Sequence, residues 1–125
     1  MKFNKLVPEL LVSNIEESLK FYTGLIGFKI NYAREKEYFY FLEYQGSQIM
    51  IEQLTDGARF TNGIPREKPF GQGINFEIET DDASKLYQRI NNDNYPIFYP
   101  LEEKWYQTGN ELDGNRQFIV ADPDG

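Results

Sequence analysis

The pattern that most constrains this chain is a predicted strand followed directly by a predicted helix, and it occurs twice. The first copy is KLVPELLV at 5–12 with SNIEESLKFYTGLIG at 13–27, and the second is INFEIET at 74–80 with DDASKLYQRINND at 81–93. In INFEIET apolar and polar residues alternate, as in a strand with one buried face. Each helix begins with residues that suit an N-cap and presents one apolar stripe. The repeat predicts an internal duplication.

Three further strands are predicted after the first helix and two after the second. They lie at 28–33, 38–44, 48–54, 95–100 and 115–122, with a connector at 101–114. A long connector rich in Gly, Pro and Asn, at 55–73, separates the two halves. We therefore predict an α+β fold in a single domain, 1–125, built from β-α-β-β-β modules at about 1–54 and 74–125, of which the second is incomplete.

Each helix must bury its apolar stripe against one face of its sheet, which leaves the other face free to form an open trough. On the second copy's strand, Ile74, Phe76 and Ile78 are predicted to face the helix. The polar residues between them then face the trough, where the repeat also places Glu9; they are Asn75, Glu77 and Glu79. The trough is therefore predicted to be acidic.

The composition excludes several classes of function. The formal net charge is −7 and the pI about 4.6, which argue against a nucleic-acid partner and against an anionic membrane surface. The chain has no Cys and no His, so it has neither a thiol nucleophile nor an imidazole base. The N-terminus lacks the apolar run of a signal peptide, and no stretch is long enough to span a bilayer. We therefore expect a cytoplasmic protein.

The chain resembles the vicinal-oxygen-chelate superfamily, which includes glyoxalases, extradiol dioxygenases, fosfomycin-resistance enzymes and bleomycin-resistance proteins. The resemblance covers the whole chain and rests on four segments in order: VPELLVSNIEESLKFYTGLIGFKI, QIMIEQL, GQGINFEIETDD and NRQFIVADPDG. VPELLV and the aromatic pair in KWYQTGNELDGNRQFIVADPDG bring it nearest to the bleomycin-resistance branch. The resemblance implies paired modules around a trough, a homodimer, and a final strand that is absent from this chain.

Metal-dependent members of the superfamily place metal ligands at positions that fall here on Val7, Glu52 and Asn75. Only Glu52 is a usable ligand, because valine has no lone pair to donate and neutral asparagine replaces imidazole poorly. We therefore expect no metal cofactor of the family type. A site for Mg²⁺ or Mn²⁺ made from Glu9, Glu52 and Glu77 is the alternative. It would accompany a glyoxalase- or dioxygenase-type enzyme, and a site that has decayed to another binding role is a third possibility.

The same residues suit a binding protein that carries out no chemistry. Bleomycin-resistance proteins, as the resemblance implies, sequester a cationic, aromatic drug in grooves at a dimer interface. Such a groove needs carboxylates for cationic groups and flat rings for stacking. The ligand-binding residues are predicted to be Glu9, Tyr40, Glu52, Asn75, Glu77, Trp105 and Tyr106. In the competing interpretation Trp105 is core, strand register turns Tyr40 inward, and the glutamates are separately solvated.

Overall fold

The computed structural model describes residues 2–55 and 67–125. The chain forms two compact units, Met1–Glu79 with Asp122–Gly125, and Thr80–Ala121. None of the helices in the described ranges is long and apolar enough to cross a bilayer. The strands and α-helices, in chain order, are β1 Glu9–Val12, α1 Ile15–Leu19, β2 Lys29–Arg34, β3 Phe39–Tyr44, β4 Ser47–Gln53, α2 Ala83–Asn92, β5 Tyr99–Thr108 and β6 Glu111–Ile119.

The first unit is a four-stranded sheet in the order β1-β4-β3-β2. β1 runs parallel to β4, while β3 is antiparallel to both β4 and β2. This is the β-α-β-β-β module that the sequence predicts, with strand bounds close to the predicted ones. β3 and β4 lie between neighbours on both sides, which agrees with their long apolar runs.

One face of this sheet, called here the helix face, packs against the first helix. Val12, Leu42 and Ile51 point to it and are almost completely buried. Gln53 lies on the same face, and its side-chain oxygen accepts a hydrogen bond from the backbone N–H of Ile15 at the start of α1 (2.9 Å). Burial of aliphatic side chains of this size contributes about 1.5–3 kcal/mol each to stability.

Local signals set the bounds of the first helix. The Asn14 side chain accepts a hydrogen bond from the N–H of Glu17 (3.1 Å), which caps the first turn. After α1 the helix continues with wider π-type turns over Lys20–Ile26. It ends at Gly27, whose φ of 110° requires a residue without a side chain. The predicted helix at 13–27 is thus confirmed in extent.

The C-terminal residues Asp122–Gly125 belong to the first unit. The carboxylate of Asp122 accepts a hydrogen bond from the Tyr22 hydroxyl (2.6 Å). Asp124 is buried, and one of its carboxylate oxygens accepts the backbone N–H of Ser13 (3.0 Å). The ammonium of Lys68 lies 3.9 Å from its other oxygen. These contacts hold Asp122–Gly125 against the first helix and the residue that precedes its N-cap.

The second unit consists of α2 and the antiparallel hairpin of β5 and β6. Asp82 caps α2 by accepting a hydrogen bond from the N–H of Lys85 (3.0 Å). Arg116 and Phe118 of β6 contact α2, the first through a hydrogen bond to Ser84 and the second through the ring of Tyr87. The predicted helix at 81–93 is confirmed.

Two predictions for the second half are wrong. Residues 74–80 form no strand, and Ile74 and Phe76, predicted to be buried under the helix, are 62% and 46% exposed. Conversely, the predicted connector at 101–114 lies mostly within the hairpin, because polar residues pair along both of its strands. A segment of alternating apolar and polar residues becomes a β-strand only where a neighbouring strand forms backbone hydrogen bonds with it. Part of the predicted connector at 55–73, residues 56–66, lies outside the described residues.

Candidate functional site

The sheet face opposite α1, called here the aromatic face, is organised in two rows of residues that cross the strands. Strand pairing sets the rows, because paired residues of neighbouring strands point to the same side. The first row, from β1 to β2, is Leu11, Glu52, Phe39 and Arg34. The second row, two residues further along each strand on the same face, is Glu9, Met50, Phe41 and Tyr32.

Aromatic rings pack against one another in the second row. The Tyr32 ring stacks on Phe41 with centroids 5.2 Å apart and planes 15° from parallel. Phe3 meets Phe41 edge-on at 5.4 Å, and Tyr32 also lies 6.0 Å from Phe39. Phe39 and Phe41 are buried. Contacts of this kind fix ring orientation and contribute about 0.5–1.5 kcal/mol each beyond the area they bury.

The N-terminal segment is held along one end of the aromatic face by Gln48. The side-chain oxygen of Gln48 accepts the backbone N–H of Asn4 (2.7 Å), and its amide donates to the carbonyl of Lys2 (2.8 Å). The amide also donates to the Glu43 carboxylate (2.8 Å). Because Gln48 is buried, these bonds satisfy a polar group that would otherwise be costly. They bring Phe3 over the second row and not over the first.

Arg34 places a positive charge at the β2 end of the first row. Its guanidinium carbon lies 3.8 Å from the centroid of the Phe39 ring, a cation–π contact. Its Nε donates to the Glu37 carboxylate in the turn that follows β2. The hydrogen bond to Glu37, with a smaller effect of the Tyr32 hydroxyl, raises the pKa of Arg34 above its ordinary value. The guanidinium is therefore a permanent cation.

Glu52 is the central feature of the first row. It is half-buried and stands directly opposite Phe39 on β3 and Leu11 on β1. In the described part of the chain no hydrogen-bond or ion-pair partner meets its carboxylate. A carboxylate that is partly shielded from water and has no partner costs free energy, so a ligand with a positive charge would be stabilised beside it.

The structure brings Glu9 together with Glu52 but turns Tyr40 away. Glu9 lies on the same face in the neighbouring row and is exposed. Tyr40 pairs with Ile51, so it points to the helix face. The expectation that Tyr40 and Glu52 share a face is therefore wrong, because the register of β3 exchanges the two alternate sets of the YFYF run.

Asn75 and Glu77 lie in the first unit but outside its sheet. Both are exposed, and their segment has no strand partner among the described residues. They were predicted to lie on a trough wall because 74–80 was predicted to be a strand, and residues 74–80 form no strand. Their predicted role as ligand-binding residues stays a prediction without support from strand register.

Trp105 and Tyr106 lie side by side on β5 in the second unit and point to opposite faces of the hairpin. The Trp105 ring lies flat across Gly114, where a Cβ atom would meet the ring at 2.7 Å, and the residue is 60% exposed. The Tyr106 hydroxyl donates to the side-chain oxygen of Gln117 (3.0 Å). The interpretation of Trp105 as a core residue is therefore wrong, and one side of its ring faces solvent.

Several residues of the aromatic face were not predicted from the sequence. Among them are Phe3, Tyr32, Arg34 and Phe39; the predicted strands at 28–33 and 38–44 contained Tyr32 and Phe39, whereas Arg34 lies one residue beyond the first of these strands. Taken with the hairpin turn at 45–46, the pairing of β3 with β4 would have put Phe39 opposite Glu52. Phe3 gives no such signal, because it precedes the predicted strand.

The residues at the family's metal positions do not fit a metal of the family type. Val7 has no donor atom, Asn75 lies outside the sheet, and Glu52 is a single carboxylate. In residues 2–55 and 67–125 no group of three acidic side chains is close enough to hold a metal ion. A carboxylate trio of Glu9, Glu52 and Glu77 is thus not formed among the described residues.

The four-stranded sheet with α1 packed on one face, and a family model that matches almost the whole sequence, together identify the family. The chain belongs to the Glyoxalase/Bleomycin resistance protein/Dioxygenase superfamily, whose model matches residues 2–125. This confirms the resemblance and the α+β fold class. No curated protein matches the chain.

Several solved structures are similar to it. A member of the same superfamily from Vibrio splendidus 12B01 is 32% identical, with a TM-score of 0.39, over 95% of this chain and 90% of that one. A protein from the mobile metagenome of V. Pseudocholerae is 24% identical with a TM-score of 0.68, over 100% and 91% of the two chains. A virulence protein from Salmonella typhimurium is 21% identical with a TM-score of 0.65, over 100% and 93%. The last two likenesses concern the fold alone.

Proposed function

We propose that this protein is a binding protein that captures a cationic, aromatic small molecule without chemistry. The observation that carries the proposal is the half-buried Glu52 carboxylate, which has no partner among the described residues and stands beside the ring of Phe39. An ammonium or amidinium group bound there would supply the missing charge. The lack of His and Cys in the chain removes the commonest catalytic bases and nucleophiles.

The aromatic face supports this proposal through its rings as well as its charge. A flat cationic ligand seated at Glu52 would lie on the face where the half-buried ring of Tyr32 is held in place by the buried rings of Phe39 and Phe41. Cation–π contacts contribute about 0.5–2 kcal/mol each, more as water is excluded. Because the rings are already packed, little conformational entropy is lost when a ligand binds.

Trp105 and Tyr106 enter the proposal as a second aromatic surface. The exposed side of the Trp105 ring suits stacking of a flat ligand, and Lys104 approaches the Tyr106 ring at 5.8 Å. Bleomycin, which is both cationic and aromatic, is the drug that the family resemblance suggests as a ligand. Quenching of the fluorescence of Trp105, the single Trp of the chain, would report stacking on this residue.

Calorimetric titration with bleomycin at low and at moderate salt tests the proposal. We expect heat of binding for the wild-type protein and at least about tenfold weaker binding for Glu52→Gln, which keeps the shape and removes the charge. The matched control is Glu16→Gln, an exposed glutamate on α1 at the other side of the sheet, which should bind like wild type. If there is no heat at either salt concentration, bleomycin is not the ligand.

Addition of divalent metal ions distinguishes capture from metal-dependent catalysis. A ligand that binds the folded state raises its apparent stability, so a bound metal would raise the melting temperature. We expect Mg²⁺, Mn²⁺, Zn²⁺ and Ni²⁺ to leave the melting temperature unchanged. A clear rise that is lost in Glu52→Gln would instead support an enzyme with a carboxylate-based metal site.

A homodimer is also part of the proposal. Its support is the segment around Ile74 and Phe76, which has the sequence alternation of a half-buried strand but exposes both side chains. A second copy of the chain would cover them. Light scattering after size-exclusion chromatography should give twice the monomer mass of 14.7 kDa, and Phe76→Lys should shift the population toward monomer.

A further inference from the structure

We infer that the ligand of the aromatic face is a flat ring with opposite charges at its two ends. A cationic group at one end binds Glu52, and an anionic oxygen acid at the other end binds Arg34. This inference rests on the proposed function and narrows its ligand class from cationic to zwitterionic. Its basis is the first row, in which Glu52, Phe39 and Arg34 follow one another across three neighbouring strands.

The spacing of the row sets the size of the ligand. Neighbouring strands lie about 4.8 Å apart, so the Cα atoms of Glu52 and Arg34, two strands apart, are separated by about 10 Å. The Arg34 guanidinium leans inward to lie over the Phe39 ring, 3.8 Å from its centroid. The two charges are therefore separated by about one to two strand spacings, about 5–10 Å. A single six-membered ring with a charged group at each end has this span.

Arg34 keeps free donors although it pairs with Glu37. A guanidinium has five N–H donors in a fixed fork, and the pair with Glu37 is formed through Nε. Apart from the contact with the Tyr32 hydroxyl, the terminal nitrogens remain for an acceptor, and a guanidinium binds a carboxylate or phosphate through two parallel bonds. The side chains of Arg34 and Glu37 are 49% and 59% exposed, so solvent weakens their mutual attraction and leaves room for a second anion.

Glu52 and Arg34 do not neutralise each other. Arg34 pairs with Glu37, and Glu52 has no ion pair in the described part of the chain. The first row thus presents separated charges of opposite sign beside a buried ring, whereas the second row has only Glu9 as a charged residue. A ligand with only a positive charge would leave Arg34 unused and would meet its repulsion.

Three matched probes test this inference. 4-(Aminomethyl)benzoate carries both charges, 4-methylbenzylamine carries only the cation, and 4-methylbenzoate carries only the anion. Ligand-observed NMR titration measures the affinity of each for wild type, Glu52→Gln, Arg34→Gln and Arg34→Lys. The matched control is Lys20→Gln, an exposed cation on the helix that covers the opposite face. In wild type we expect the zwitterion to bind at least about tenfold more tightly than either singly charged probe.

The variants should give a crossed pattern. Arg34→Gln should weaken the zwitterion at least about tenfold and leave the amine probe equal or tighter, because a repelling charge is removed. Glu52→Gln should have the opposite selectivity: it should weaken binding of 4-methylbenzylamine and leave the affinity for 4-methylbenzoate unchanged. Arg34→Lys should recover part of the zwitterion affinity. If Arg34 had a purely structural role, Arg34→Gln would instead weaken the binding of all three probes equally. Circular dichroism checks that the variant is folded, and an equal loss in a folded variant would contradict the inference.

The failures of the two proposals are distinguishable. If the amine probe binds through Glu52 as tightly as the zwitterion, the ligand is a simple cation and only this inference fails. If Arg34→Gln lowers all affinities equally, this inference fails as well. If no probe binds wild type, or if Glu52→Gln changes no affinity, both this inference and the proposed function are overturned.

Discussion

The aromatic face of the first unit and the hairpin of the second unit are both rich in aromatic residues, but they present them differently. On the aromatic face Phe39 and Phe41 are buried beneath their neighbours, and their rings are fixed by contacts with Tyr32 and Phe3. On the hairpin Trp105 rests on a glycine and leaves more than half of its surface in water. The first arrangement is preorganised, whereas the second is open.

The difference follows from the number of neighbours that each strand has. β3 is bonded on both sides, so a ring on it meets rings from two strands and from the N-terminal segment. Among residues 2–55 and 67–125, only β6 is paired with β5, and α2 covers the part of the hairpin near Arg116 and Phe118. A two-stranded ribbon supplies few contacts of its own. Whether an aromatic residue is buried therefore depends on how many strands flank its own strand, and not on the residue type.

The largest expected contrast is between two leucines. Leu42→Ala in β3 removes a fully buried side chain and should lower the free energy of unfolding by about 2–5 kcal/mol. Leu112→Ala in β6 removes a side chain that is 65% exposed and should change it by no more than about 0.5 kcal/mol. Denaturant unfolding followed by circular dichroism measures both. Equal losses would mean that the hairpin is as well packed as the sheet.

A second contrast concerns two aspartates that each accept a backbone N–H near the start of a helix. Asp124 is buried and bonds to Ser13, while Asp82 caps α2 on an exposed surface. Asp124→Ala leaves a shielded donor unpaired and should cost about 1–3 kcal/mol. Asp82→Ala should cost about 1 kcal/mol, since water replaces its hydrogen bond. Chemical denaturation of both variants checks the order, and a larger loss for Asp82 would contradict it.

Glu52→Gln should raise stability by up to about 1 kcal/mol, because it removes a half-buried charge that has no partner in the described residues. Glu16→Gln, at an exposed position, should leave the melting temperature unchanged. Differential scanning calorimetry without ligand measures both variants. A marked destabilisation by Glu52→Gln would show that the carboxylate stabilises the fold, which would contradict its assignment as an unpartnered ligand-binding group.

The smallest effect is expected at Trp105. Trp105→Phe should change the free energy of unfolding by no more than about 0.5 kcal/mol, since the ring packs on one side only. In the wild-type protein its fluorescence should resemble that of tryptophan in water and should be quenched readily by iodide. Emission typical of a buried indole, with protection from iodide, would show that the hairpin is covered in solution.

The sequence predicted the first unit well because local and long-range signals agree there. The Asn14 cap, the left-handed Gly27 and three apolar strands all favour the same β-α-β-β-β module. In the second half the signals conflict. INFEIET alternates perfectly yet has no described strand partner, whereas the polar stretch at 101–114 forms a ladder whose pairs are mostly hydrophilic. Pairing depends on a neighbour that composition does not reveal.

For the candidate site, Glu52 was identified from sequence because an acidic residue directly after the apolar run IMI is unusual on a central strand. Tyr40 was assigned to the wrong face because a one-residue change of register exchanges the faces of a strand. Arg34 was missed, since its position beside Phe39 depends on the bulge in β2 that shifts the register between Ile30 and Tyr32. Bulges of this kind have no clear sequence signal.

Amide chemical shifts would locate an aromatic amine bound to the protein. With ¹⁵N-labelled protein and 4-methylbenzylamine, we predict that the largest shifts fall on Glu52, Phe39 and their strand neighbours, and that Glu52→Gln abolishes them. Additional shifts at Trp105 would add the hairpin to the binding surface. Shifts confined to the hairpin, with none around Glu52, would show that the aromatic face does not bind the cation.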